Sequence, residues 1–189
     1  KAEVISTTKI GQVHFSWSGQ VQKLLAVFNP LKQVLTQDAA PITANMEKRG
    51  GGVLDIQLMD MTHLEPNYYQ LRVSFETCDS MGANFINSVL ESYGQTLLRF
   101  IEKEESFSAT EQEAQIIMSI LSNYTPECLV RASVECPVED LAVPGMTIEP
   151  AALAEKFSKA VRIARIDPYR AATHNKGIFN GIDAVVLAT

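Results

Sequence analysis

Cysteine is scarce in this sequence, with Cys78, Cys128 and Cys136 the only three in 189 residues. An odd number without CxxC spacing gives neither a disulfide framework nor a zinc pattern, so all three read as reduced thiols of a cytoplasmic protein and no metal site is expected. No apolar run approaches the roughly 18–20 residues of a membrane span. No basic segment precedes an apolar one in the manner of a signal peptide. Positive charge is also in deficit: 16 Lys and Arg stand against 22 Asp and Glu, a net charge of −6. Nucleic acid and anionic membranes require clustered cations, so neither is expected as a partner, although a local basic pocket remains open. Internal repeats and low-complexity stretches are missing as well.

What the sequence does have is apolar content, 46% of residues against 20% charged, enough to bury a real core. Residues 10–18 alternate Val13, Phe15 and Trp17 with Gln12, His14 and Ser16, the period of a strand with one buried face. Residues 20–49 carry Leu24, Phe28, Leu31, Leu35 and Met46 at helical spacing, and Pro30 and Pro41 predict helices broken near each. Gly50-Gly51-Gly52 then ends the helical region. Alternation returns in 53–62 and 68–77, and the turn-rich 63–67 between them predicts a hairpin. Phe85, Val89, Leu90, Leu97 and Ile101 make residues 81–103 an amphipathic helix, and 114–121 reads as a buried strand.

The order strand, helices, strand, strand, helix, strand is that of the split βαβ, ferredoxin-like unit. The fold class predicted is α+β. A small domain occupies residues 9–124, and from Thr125-Pro126 the chain enters part of a second domain, 125–189 together with 1–8. There 128–138 reads as a strand and 151–166 as a helix, and so short a stretch buries little core by itself. The chain opens on Lys1 rather than Met, and the apolar run 182–188 has no stop signal behind it, so both ends read as cut.

Two stretches carry residues suited to chemistry. Asp79-Ser80-Met81-Gly82-Ala83-Asn84 stands between a strand and a helix, where unpaired N–H groups and the helix dipole suit an anion. The plainer alternative is that Asp79 or Ser80 caps the helix while Gly82 serves packing. The stretch is not a GxGxxG fingerprint, so no Rossmann fold follows from it. The second stretch, Asp167 to Gly181, packs Arg170, His174, Asn175, Lys176 and Asn180 into a glycine-punctuated segment between two helical runs. Arginine suits a carboxylate through paired hydrogen bonds, and lysine donates to developing oxyanion charge. The alternative is a polar interdomain loop. Gly50-Gly51-Gly52 alone reads as a turn, and His14 and His63 have no visible partners.

Taken together, DSMGAN at 79–84 and DPYRAATHNKGIFNGIDAVVLAT at 167–189 resemble the class II, bacterial-type hydroxymethylglutaryl-CoA reductases. That family writes its nucleotide motif DAMGAN or DKMGAN, with Ser80 here at the variable position. Gly50-Gly51-Gly52 and Leu121-Ser122-Asn123 fall in the order the family expects. The resemblance implies an oxidoreductase that interconverts hydroxymethylglutaryl-CoA with mevalonate and CoA, using two hydrides from NADH or NADPH. It implies that the small domain is a ferredoxin-like, non-Rossmann nucleotide-binding fold and that the remainder belongs to a substrate-binding large domain. Asp79, Met81, Gly82, Ala83 and Asn84 match the dinucleotide motif. Lys176 matches the catalytic lysine, Arg170 and Asn180 match residues that hold the hydroxymethylglutaryl part, and Asn123 matches an active-site asparagine.

The family's glutamate, aspartate and histidine acids fall outside this stretch, so the resemblance implies a fragment that is inactive by itself. A lone lysine does not supply that proton traffic. It also implies a homodimer with active sites at the subunit interface. Family members that prefer NAD carry an acidic residue about seven positions before the GGG motif. Thr43 stands there, with Lys48 and Arg49 nearby, so NADPH is expected to serve at least as well as NADH. The competing expectation is a non-catalytic ferredoxin-like module for small-molecule binding or dimerisation, since fold alone does not decide function.

Overall fold

Strands β2 (Lys9–Trp17) and β4 (Tyr68–Glu76) form the centre of the main sheet, because their alternate side chains are almost all apolar on one side. Val13, Phe15, Trp17, Leu71, Val73 and Phe75 are all at most 1% exposed, while Gln12, His14, Arg72 and Ser74 point the other way. The computed structural model describes residues 1–189. Its main sheet adds β3 (Gly52–Asp60) and β5 (Ala114–Ser122) in the order β3-β4-β2-β5, with every neighbouring pair antiparallel. The burial expected of 114–121 does not occur: β5 is an edge strand with none of its residues buried, because only β2 flanks it. Helices α1 (Val21–Glu47) and α2 (Ala83–Lys103) close the apolar face. A separate two-stranded ribbon pairs β1 (Ala2–Thr7) with β6 (Cys128–Ala132).

The predicted breaks in α1 do not occur. The helix runs unbroken from Val21 to Glu47 with Pro30 and Pro41 inside it. Both prolines lie on its exposed side, while Leu24, Leu31, Leu35, Ala39, Thr43 and Met46 are buried on the other. An interior proline costs about 3 kcal/mol, and each fully buried leucine or methionine returns about 1.5–3 kcal/mol. Four such side chains outweigh two prolines.

The compact units are Ala2–Ala132 and, separately, Lys1 with Ser133–Thr189. In the second unit a short 3-10 turn (Val138–Leu141) precedes α3 (Pro150–Ile166) and α4 (Pro168–Ala188). The strand expected at 128–138 stops at Ala132, where its partner β1 also runs out. The glycine-punctuated segment after Asp167 is neither a loop nor a link between helices. It is helix throughout, with Asp167 capping it by accepting from Tyr169 N at 3.0 Å and Pro168 in the first turn. Gly177 and Gly181 each cost a helix only about 1 kcal/mol, too little to break one so well started. No helix of the protein is long and apolar enough to cross a membrane.

Candidate functional site

Glu76 ends β4, and its carboxylate accepts from the Thr7 hydroxyl and from Cys78 N at 2.7 Å. These donors favour the charged form, the Thr7 bond most, and hold the carboxyl below the usual glutamate range. Beyond it the chain must turn sharply to start α2, and Cys78 adopts a left-handed φ of 53° to do so. Thr77, fully buried, ties the turn off: its hydroxyl donates to Ser80 O at 2.6 Å, and Ser80 Oγ donates to Thr77 O at 2.7 Å. Ser80 is therefore spent within the turn and does not cap the helix.

Gly82 is the N-cap of α2, left-handed at φ 77°, and no side chain accepts from the first-turn amides. Those amides are left for solvent or a ligand. Met81 is 67% exposed, and Asp79 and Asn84 are exposed beside it. The capping alternative for Asp79 and Ser80 is thus not what the chain does.

The Gly50-Gly51-Gly52 turn lies against this loop. Cys78 Sγ meets Arg49 O at 3.2 Å, Gly52 pairs with Glu76 in the sheet, and a Cβ on Gly51 would stand 2.5 Å from Glu76 O. Only glycine allows the two segments to approach so closely. Thr43, one turn before the end of α1, is buried and its hydroxyl bonds Ala40 O at 3.4 Å. It faces the core, whereas Lys48 and Arg49 at the helix end are exposed.

Asn123 follows β5 and is exposed. It lines a cleft of about 120 Å³ together with Met81, Lys9, Ile86 and Thr125, so the structure brings the asparagine to the 79–84 turn. No sequence pattern marks Lys9. A lone lysine at the start of a strand carries no pattern, and only the pairing of β2 between β4 and β5 brings it here. In the other unit, Lys176 Nζ donates to Asn180 Oδ1 at 3.1 Å across one turn of α4. At about 100° per residue, Arg170, Asn180 and Lys176 fall within roughly 120° of the helix circumference. All three are exposed, and none makes an ion pair.

The family model for hydroxymethylglutaryl-coenzyme A reductase matches residues 2–189. This chain belongs to that family. It is 32% identical over 149 residues to a probable 3-hydroxy-3-methylglutaryl-coenzyme A reductase of Borreliella burgdorferi, covering 79% of this chain and 31% of the relative. To the reductase of Archaeoglobus fulgidus it is 31% identical, with 95% and 37% covered. Among solved structures, a hydroxymethylglutaryl-CoA reductase of Streptococcus pneumoniae matches with a TM-score of 0.74 and 33% identity, covering all of this chain and 47% of that one. A class II reductase from the same organism, bound to NADPH in open conformations, matches at 0.73 and 33%. The chain therefore spans about a third of these curated relatives and just under half of the solved structures. The mixed α+β architecture with antiparallel sheets is that of the hydroxymethylglutaryl-CoA reductases it matches.

Proposed function

We propose that this chain is the nucleotide-binding and part of the substrate-binding portion of a reductase that interconverts hydroxymethylglutaryl-CoA with mevalonate and CoA. Residues 9–124 form the small domain, and 125–189 with 1–8 belong to the large one. The strand order β3-β4-β2-β5, with α1 and α2 as crossovers on one face, supports reading the small domain as ferredoxin-like and non-Rossmann. The observation that carries the functional reading is the Gly82 turn. Its left-handed glycine, uncapped first-turn amides and exposed Met81 and Asn84 suit the pyrophosphate of NADH or NADPH.

Asp79, Met81, Gly82, Ala83 and Asn84 hold the dinucleotide, which when bound supplies hydride. Lys48 and Arg49, exposed at the end of α1 beside the GGG turn, favour a 2′-phosphate, whereas buried Thr43 does not touch the ribose. Arg170 pairs with the substrate carboxylate and Asn180 positions the hydroxymethylglutaryl part. Lys176 donates to the carbonyl oxygen as negative charge develops there. Asn123, beside Met81 in the small domain, acts as an active-site asparagine, and two subunits assemble as a homodimer. In this chain the only side-chain partner of Lys176 is Asn180, a group that neither gives nor takes a proton. Turnover is therefore a property of the longer protein.

Titration of the 189-residue chain with NADPH and NADH, followed by Trp17 fluorescence, tests the nucleotide assignment. Saturable binding that Gly82→Ala removes supports it, and no binding of either nucleotide sinks it. Thioester-dependent NADPH oxidation by a longer chain carrying these residues, absent from the 189-residue chain, tests the rest.

A further inference from the structure

The face of the main sheet that α1 and α2 leave open is mostly polar on β3, β4 and β2 and carries Met118 and Ile120 on β5, and its side chains stand in rows. Antiparallel register sets Gln57, Arg72, Gln12 and Ile120 side by side across all four strands, with Asp55, Ser74, Ile10 and Ser122 in the next row. Arg72 is the one cation in these rows. It is half-buried, between two glutamine side chains and above two serines.

An arginine so placed is expected to take a neighbouring carboxylate, but the one in the next row, Asp55, is engaged elsewhere. Asp55 accepts from Lys32 Nζ at 2.9 Å and from Gln57 Nε2 at 3.0 Å. None of the four ion pairs of the protein uses Arg72. Gln12 is turned away to Gln70 at 2.7 Å, and Gln70 in turn bonds Tyr68 OH, so the polar side chains beside Arg72 are committed to one another. The guanidinium keeps its fork of donors directed at a cleft of about 280 Å³, lined also by Ser74, Ser122, Tyr124 and Glu127.

We propose that this cleft binds a small monocarboxylate, with Arg72 gripping it through two parallel hydrogen bonds. The volume lies just below the roughly 300–1,000 Å³ of pockets for larger ligands, so the ligand is small. The planar fork of arginine matches a carboxylate. Glu127 on the rim opposes a second negative charge, which disfavours a phosphate dianion, and accepts from a hydroxyl or ammonium at the other end of the ligand. The ligand also reaches the turn in which Ser122 Oγ accepts from Tyr124 N at 3.1 Å. Asn123 is the middle residue of that turn, so occupancy of this face is sensed at the cleft on the other side.

Glycolate, acetate and inorganic phosphate titrated into the 189-residue chain, followed by amide and arginine side-chain NMR shifts, test the assignment against a chloride control. Glycolate is expected to give saturable shifts at Arg72 Nε–H and at the amides of Ser122, Asn123 and Tyr124. Arg72→Gln should weaken that binding roughly tenfold or more, the loss of a charge-assisted pair. Arg72→Lys, which keeps the charge but not the fork, should weaken it by less and guards against a folding defect in the first variant. Shifts that do not saturate, that persist in Arg72→Gln, or that follow phosphate and not glycolate would overturn the proposal.

Discussion

Thr77 and Gly82 are interlocked: a Cβ built on Gly82 stands 2.4 Å from Thr77 Cγ2, and Gly82 itself is held at φ 77°. The buried threonine shapes the turn through its bonds with Ser80, and the turn then accepts only glycine at position 82. Gly82→Ala should therefore combine a left-handed penalty of about 1–2 kcal/mol with a clash against a fully buried neighbour. We expect a loss of about 2–4 kcal/mol in denaturant melts. Adding Thr77→Ser removes Cγ2 and should recover part of that loss. Strictly additive effects in the double variant would show that the two residues do not restrain each other.

Thr43 bears on cofactor preference in a way its sequence position conceals. An acidic residue seven positions before the GGG turn suggests contact with a ribose, yet Thr43 is 4% exposed in the packed stripe of α1. Thr43→Asp should not convert the chain to NADH preference. It should bury an unpaired carboxylate and cost about 3 kcal/mol or more. Thr43→Val should be close to neutral in urea melts. A folded Thr43→Asp variant of unchanged stability would mean that α1 presents this position to the ligand.

The main sheet and α2 were legible because their periods are unambiguous: Val13, Phe15 and Trp17 alternate, and Val89, Leu90, Leu97 and Ile101 recur at helical spacing. Where reading failed, a strong local signal lost to a larger distributed one. Pro30 and Pro41 are helix breakers, but the sequence does not reveal that both fall on the exposed side of a stripe that buries four large apolar side chains. Gly177 and Gly181 suggested a loop, although Asp167 and Pro168 start α4 firmly enough to carry the helix through them. Strand β1 left no signal, since its only partner lies far along the chain in β6. The motif at 79–84 was visible as a family pattern, whereas Lys9 and the fit of the GGG turn against Glu76 depend on strand pairing that no local pattern encodes.

Glu111 should give the Ala2–Ala132 unit a pH-dependent stability. Its carboxylate accepts from Lys23 Nζ at 2.6 Å and from Ser108 N at 2.9 Å, and these donors, the lysine first, hold it down to about 2 from an ordinary 4.5. A folded value below the unfolded one stabilises the protein above pH 4.5, and that contribution is lost as pH falls from 4.5 towards 2. Glu111→Gln should melt earlier than the parent at pH 7 and flatten the acid limb over that window, so that the two proteins converge near its lower end. Parallel stability curves for the two proteins across the window would contradict the assignment.

Lys176 is held by Asn180 one turn away on α4, and this pairing sets what its removal should do. A lysine that only bonds one exposed side chain a turn away contributes a few tenths of a kcal/mol, so Lys176→Ala should leave the melting of the 189-residue chain almost unchanged. A lysine that donates to developing oxyanion charge is a different matter, because removal of one such donor typically costs about 10²–10³ in kcat. In the longer protein that carries these residues, Lys176→Ala should therefore lower kcat by that order while the KM for the thioester moves little. Lys176→Arg should not restore the rate, since a planar fork cannot reproduce a point donor aimed at one oxygen. Melts and steady-state kinetics on the same variants separate the two roles, and a kcat unaffected by Lys176→Ala would remove the lysine from the chemistry.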